Sequence, residues 1–253
     1  MKQIISFLLR KVPRKYLQLV SHYGLAILAL FYKGNKVECP VCKSRFRVFL
    51  PYGRQSRSNA LCPSCLSLER HRLMWLFLER QTGFFKDEAK LLHIAPEHCF
   101  IDRFEKLDNL DYVTADIESP LAKVKMDAHD IPFENESFEM VFCNHVLEHV
   151  NDDKKVMSEI YRVMKPGGFG ILQIPLFFPL AEKTIEDPSI TDPKKREELF
   201  GQDDHVRMYG LDYRSRLEDA GFKVRDDYAN SLSPEELHKF GIIESEILYT
   251  VHK

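Results

Sequence analysis

Residues 127–175 read DAHDIPFENESFEMVFCNHVLEHVNDDKKVMSEIYRVMKPGGFGILQIP, and this stretch decides the fold. Within it FEMVFCNH (138–145) predicts a strand, and DDKKVMSEIYRVM (152–164) predicts a helix that Pro166, Gly167 and Gly168 stop. FGILQIP (169–175) is the next strand. Upstream, AKLLHIAP (89–96) predicts a strand and CFIDRFEKL (99–107) a helix. DYVTADIE (111–118) is a second strand with Asp116 near its end, and KVKMDAHDIPF (123–133) a short third segment carrying Asp127. Alternating strands and helices from about residue 89 argue for a parallel α/β sheet.

Around this core the chain of 253 residues, 44% hydrophobic and 29% charged, has material for one full-sized domain plus a small accessory module. The net charge of −2 hides an asymmetry: residues 1–60 hold 12 Lys/Arg and one acid, Glu38, so the head is +11 and the rest −13. A basic head suggests an anionic partner, nucleic acid or a phospholipid surface. The apolar run GLAILALFY (24–32) is nine residues, too short for a bilayer, which needs about 20. Basic residues beside it fit either an interfacial membrane anchor over residues 1–33 or a helix packed on the protein. The expected organisation is a basic, apolar helical segment (1–36), a four-cysteine ribbon (37–68), a connecting helix (69–88) and the main domain (89–253), interrupted by an insertion at 176–210.

Cys39, Cys42, Cys62 and Cys65 form two C-x2-C knuckles nineteen residues apart, the spacing of a tetrahedral four-thiolate zinc site. Such a closed shell has no open position, so its role would be structural. The competing arrangement is two disulfides, but the rest of the chain looks cytoplasmic, where thiols stay reduced. Cys99 and Cys143 are isolated and expected to be buried as small hydrophobes. Between the knuckles, Phe46, Phe49 and Tyr52 are interleaved with Lys and Arg; they would stack on bases or form the ribbon's own small core.

The ordered run at 127–175 resembles class I S-adenosylmethionine-dependent methyltransferases, close to the type 11 group, through its acidic residue, "IPF" turn, "SFEMV", "LEH" and "RVMKPGG". The resemblance covers residues 90–175 well and 176–253 loosely. It implies a Rossmann-like seven-stranded sheet with strand seven antiparallel, for which KVRDDYA (223–229) and EILYTVHK (246–253) are the last two strands. It also implies ligand roles: Asp116 for the ribose hydroxyls with Glu118 as the alternative, Asp127 for the adenine amino group, and Ala128 and His129 flanking the ring. Asn144 and His145 would face the methionine portion and the transferred methyl. "DDHVRMYG" (203–210) is similar to a segment near the acceptor pocket of related enzymes, which makes His205 a candidate base or acceptor contact and Arg207 and Tyr209 candidate acceptor clamps.

The first loop, LLHIAPEHCF (91–100), has no glycine, although glycines in such loops allow positive φ and close ligand approach. S-adenosylmethionine has no pyrophosphate to cradle, so a variant loop with Ala95 and Glu97 as contacts is the expected solution, with His93 a further cofactor contact or, as an inward strand residue, packed core. His145 and His149 are four residues apart, a spacing that can make a metal pair, but no third ligand is evident in sequence and Leu147, Glu148 and His149 are expected to be structural at a helix start. The acceptor is expected to be a small molecule or a glycan or lipid precursor. An RNA acceptor gripped by the ribbon, and a non-catalytic scaffold, are the alternatives. The expected location is the cytoplasm, with peripheral contact at the inner face of the membrane if residues 1–33 are an anchor.

Overall fold

The computed structural model describes residues 29–53 and 56–253. The elements, in chain order, are strands β1 (Lys33–Glu38), β2 (Arg45–Phe46), β3 (Leu50–Tyr52) and β4 (Arg57–Leu61), helix α1 (Glu69–Gln81), β5 (Ala89–Ile94), α2 (His98–Phe104), β6 (Leu110–Asp116) and β7 (Val124–Lys125). They continue with β8 (Phe138–Asn144), α3 (Asp153–Val163), β9 (Met164–Gln173), β10 (Ile185–Glu186), α4 (Pro193–Phe200), β11 (Arg207–Met208), α5 (Tyr213–Asp219), β12 (Lys223–Arg225), α6 (Pro234–Phe240) and β13 (Thr250–His252). Two compact units result, the first reaching Trp75 and taking in Leu232–Glu244, the second formed by Leu76–Ser231 and Ser245–Lys253.

The second unit is built on a seven-stranded sheet of order β12-β13-β9-β8-β5-β6-β7. β13 runs antiparallel to both its neighbours, and the pairs β9-β8, β8-β5, β5-β6 and β6-β7 are parallel. The seven-strand architecture and the antiparallel last strand expected from the family resemblance are therefore present. Strand order reverses between β5 and β8, so a crevice opens there beyond the strands' carboxyl ends. Both faces of the central strands are buried. Leu92, Ile94, Val141, Cys143 and Leu172 join Val156, Met157 and Ile160 of α3 in one core, and His93 and Phe142 meet Phe100, Phe104 and Tyr112 in an aromatic cluster. Alternating Cβ directions along each strand produce this division.

Two local expectations change. Helix α3 ends at Val163, and β9 begins at Met164 and runs through Pro166, Gly167 and Gly168, so these residues do not stop the helix. The reason is pairing: Met164 is already in register with Phe138, and a Cβ on Gly168 would lie 2.7 Å from the Glu139 carbonyl oxygen. Glycine permits that close strand approach. Leu147, Glu148 and His149 form a turn rather than a helix start, and α3 begins only at Asp153, capped by the Asp152 side chain, which accepts from the Lys155 N–H at 2.9 Å.

In the first unit β1 pairs with β2 and β3 with β4, both antiparallel. Phe46 and Phe49 are buried with ring centroids 6.1 Å apart, so they form the ribbon's own core, and only Tyr52 of the three interleaved aromatics is exposed. Arg72, fully buried, donates to the carbonyls of Ala60 (2.8 Å), Ser67 (2.9 Å), Phe240 (2.6 Å) and Gly241 (2.6 Å). Residues 232–244, expected within a continuous 89–253 domain, are held in the ribbon's unit by these bonds. No helix among the described residues is long and apolar enough to cross a membrane, and the anchor expected over residues 1–33 falls largely on residues 1–28, outside the described residues.

Candidate active site

At the carboxyl end of β5, Ala95 takes φ 51°, the left-handed backbone for which glycine is the usual residue, and its N–H donates to the Ala115 carbonyl at 2.8 Å. The turn is thus made without glycine by the smallest side chain that has a Cβ. Glu97, the N-cap residue of α2, accepts from the Asn144 amide at 2.9 Å and lies 2.6 Å from His93 Nε2. Tyr112 donates its hydroxyl to His93 Nδ1 at 2.8 Å in the tautomer that lets Nε2–H donate to Glu97. His93, expected as a cofactor contact or packed core, is fully buried with both ring nitrogens engaged by Tyr112 and Glu97. On the other side of the crevice His145 also has a left-handed backbone, φ 55°, and its N–H donates to the Gln173 carbonyl. Two non-glycine residues with such backbone at the ends of adjacent strands are what a functional crevice tends to retain.

Asp116 ends β6, and its Oδ1 accepts from the N–H groups of Glu118 (2.8 Å) and Ser119 (2.7 Å), which orients the carboxylate without using Oδ2. Glu118 itself is exposed beyond the strand. Asp127 follows β7 by two residues, beside buried Ala128. Its Oδ1 accepts from the backbone N–H of His129 (2.9 Å) and lies 2.7 Å from that ring's Nδ1. The backbone bond first, then the ring, holds this carboxyl below the usual aspartate range. Glu97, Asp116 and Asp127 are acceptors at strand ends. They fit a ligand whose polar groups are an ammonium, two hydroxyls and an aromatic amine.

A second cluster lies just past β8. Glu148 is 1% exposed, and its Oε1 is 3.2 Å from His145 Nδ1 and 3.9 Å from His149 Nε2. Burial pushes its carboxyl up, but the His145 hydrogen bond and the charges of both histidines outweigh that and hold it below the ordinary value. His205, carried by the 176–210 insertion, is fully buried; its Nδ1 donates to the Phe200 carbonyl at 2.9 Å, and its ring packs edge-on against His149 with centroids 4.8 Å apart. Burial lowers its imidazole pKa below the ordinary value. So His205 turns toward Glu148 and His149 and does not offer an exposed base. The expectation that Arg207 and Tyr209 clamp an acceptor is overturned. Arg207 donates to the carbonyls of Leu147 (2.6 Å), Val150 (2.6 Å) and Asn151 (3.0 Å), and buried Tyr209 donates to Asp153 Oδ2 at 2.7 Å. Their donors fix the 147–151 turn that presents Glu148 and His149. Sequence spacing missed the Glu148–His149–His205 grouping because His205 is over fifty residues away, brought in by the β10–β11 pair.

In the first unit the four thiols converge: Cys39 and Cys65 sulfurs are 3.6 Å apart and those of Cys42 and Cys62 3.7 Å. A tetrahedral zinc–thiolate shell demands about 3.8 Å between sulfurs, from zinc–sulfur bonds of about 2.3 Å. No disulfide joins the six cysteines in this structure, the sulfurs standing at metal-shell spacing rather than bonded, and Cys99 and Cys143 are buried as expected.

This seven-stranded sheet is the Rossmann-like fold of class I S-adenosylmethionine-dependent methyltransferases, and residues 90–172 match the type 11 family described as "Methyltransferase domain". Among curated proteins, the ubiquinone/menaquinone biosynthesis C-methyltransferase UbiE of Klebsiella pneumoniae is 28% identical over 148 residues, 53% of this chain and 57% of that protein. UbiE of Desulfotalea psychrophila is 45% identical over 42 residues, 17% of each chain. The chain thus spans about half or less of the length of these relatives. Among solved structures, phosphoethanolamine N-methyltransferase 2 of Haemonchus contortus in complex with S-adenosyl-L-methionine is 19% identical, with 60% of this chain and 37% of that chain covered and a TM-score of 0.42.

Proposed function

We propose that the protein methylates an oxygen or nitrogen nucleophile of a small molecule or a glycan or lipid precursor, using S-adenosylmethionine. The observation that carries this is the Asn144–Glu97 hydrogen bond in the crevice at the strand-order reversal, with Asp116 at the end of the neighbouring strand β6. S-adenosylmethionine, when bound, supplies an electrophilic methyl group. Glu97 would accept from its amino group, Asp116 from the ribose hydroxyls and Asp127 from the adenine amine, with Ala95 allowing close backbone approach and Ala128 beside the ring. His145, oriented by Glu148, is the better-placed of the two candidate bases to take the nucleophile's proton. The C-methyltransferase activity for which the curated relatives are named adds a carbon nucleophile to the acceptor atoms worth assaying.

Zinc in the four-cysteine site would be structural, and the sulfur spacing supports it. Burial of Phe46 and Phe49 removes most of the base-stacking surface on which an RNA acceptor would depend. Peripheral membrane contact through residues 1–33 is the companion proposal; equal partitioning onto anionic liposomes with and without those residues would remove it. The activity is tested by release of S-adenosylhomocysteine across a panel of hydroxyl, amine and phenolic acceptors. His145→Ala is expected to lower kcat by about 100-fold or more with little change in cofactor affinity. Cofactor-dependent turnover by no acceptor, despite cofactor binding, would favour the scaffold alternative.

A further inference from the structure

Just past β8, Glu148 steadies His145, but its grouping with His149 and His205 has features that neither packing nor that role requires. One ligand atom from each residue lies within 4.8 Å of the other two. Glu148 and His205 are more than nine-tenths buried, and neither Glu148 Oε2 nor His205 Nε2 has a hydrogen-bond partner. An unsatisfied polar atom in such a place costs about 1–3 kcal/mol, more for a charged group, so two in one cluster require an explanation.

The oxygens on the far side of each ring supply one. His205 Nδ1 is held by the Phe200 carbonyl at 2.9 Å, and His149 Nδ1 faces the Asp204 carboxylate at 3.5 Å. With its Nδ1 on the Phe200 carbonyl, His205 keeps Nε2 as a lone-pair acceptor, and His149 with Nδ1 toward Asp204 presents its own Nε2 at 3.9 Å to Glu148 Oε1, itself only an acceptor. Acceptors facing acceptors repel unless a cation lies between them. An oxygen behind each imidazole is the arrangement by which metal-bound histidines are oriented. The carboxylate is steadied from its other side by His145 Nδ1 at 3.2 Å from Oε1.

We propose that Glu148, His149 and His205 bind one divalent transition-metal cation of the zinc class, through the Glu148 carboxylate and the Nε2 atoms of both histidines. Two imidazoles and one carboxylate are a donor set for zinc or another borderline first-row cation, rather than for calcium or magnesium, which prefer oxygen alone. Three protein ligands leave at least one coordination position open, unlike the closed four-thiol shell. Water or an oxygen of the acceptor would fill it. The Val206 N–H donates to the Glu148 carbonyl at 2.9 Å and Arg207 fixes the 147–151 turn, so the insertion is attached where it delivers His205.

The test is metal content of the full chain after zinc loading and gel filtration, followed by cobalt substitution. Two equivalents per chain are expected, falling to one in His205→Ala and in His149→Ala; the half-exposed His149 ring makes the latter substitution gentle on folding. Thiolate-to-cobalt charge transfer marks the cysteine shell, whereas the nitrogen–oxygen site contributes ligand-field bands only. The second equivalent should therefore add ligand-field intensity without charge transfer and disappear in His149→Ala. A single equivalent in the wild type with full thiolate charge transfer, or equal metal content in wild type and both variants, overturns the proposal. Neither readout depends on S-adenosylmethionine, so its failure is separate from failure of the methyltransferase reading.

Discussion

Ala95 holds a backbone that costs an L-residue about 1–2 kcal/mol relative to right-handed conformations, at the point where the chain turns from β5 toward α2. Replacing it with glycine removes that strain but gives the unfolded chain more freedom, an opposing effect of about 0.4–1 kcal/mol. Ala95→Gly is therefore expected to be neutral to about 1 kcal/mol more stable in denaturant titration and to keep cofactor affinity; a loss beyond 1 kcal/mol would show that the methyl group packs. Glu159 gives a pH-dependent prediction at the same scale. Its carboxylate accepts from Arg162, Lys155 and the Ile131 N–H, and these bonds, Arg162 first, pull its pKa down to about 2. A depressed folded pKa stabilises above the unfolded value of about 4.3 and loses that contribution as pH falls toward 2. Glu159→Gln should be about 2 kcal/mol less stable than wild type at pH 7. The gap should close between about pH 4.3 and 2; a constant gap would contradict the assignment. The places of Asp116, Asp127 and the Glu97 loop at or just beyond strand ends were legible because apolar runs mark the strands, whereas their ligand roles rest on the family resemblance. The buried state of His93 was not, since an inward-facing strand residue gives no sign of how completely its partners enclose it.

Among the elements, α1 and α6 show what a local pattern cannot register. Arg72 is a single cation in the apolar run RLMWLFL, and nothing in that spacing announces four carbonyl partners, two of them in Phe240 and Gly241. Arg72→Met would fill similar volume but leave those carbonyls buried without donors, and is expected to cost about 3–5 kcal/mol in thermal or denaturant unfolding. A change under 1 kcal/mol would mean water satisfies them. The strands of the central sheet were legible because apolar runs bounded by turn residues have few other solutions. The start of β9 was not: pairing of Met164 with Phe138 overrides the breaker signal of Pro166, Gly167 and Gly168. Arg207 and Tyr209 fall in the same category, since polar residues in a motif look alike whether they hold a substrate or a turn.

On the scale of the molecule, two units with different sources of stability are combined in one chain. The second has a continuous apolar core, whereas the first is small and depends on its thiol cluster as well as on Arg72. Chelation under reducing conditions should therefore expose residues 29–75 to limited proteolysis while 76–231 stays resistant; equal resistance with zinc removed would contradict a structural metal. The long-range grouping of His205 with Glu148 and His149 became visible only in the fold, because no periodicity links an insertion to the strand end it meets. The central claim is that the crevice between β5 and β8 accepts S-adenosylmethionine despite its glycine-free loop. Isothermal calorimetry on the metal-replete full chain tests it most directly. One-to-one binding is expected, weakened about 10-fold or more in Asp116→Asn by loss of a charged hydrogen-bond acceptor. No binding to the wild-type protein, or equal affinity in the variant, would contradict it.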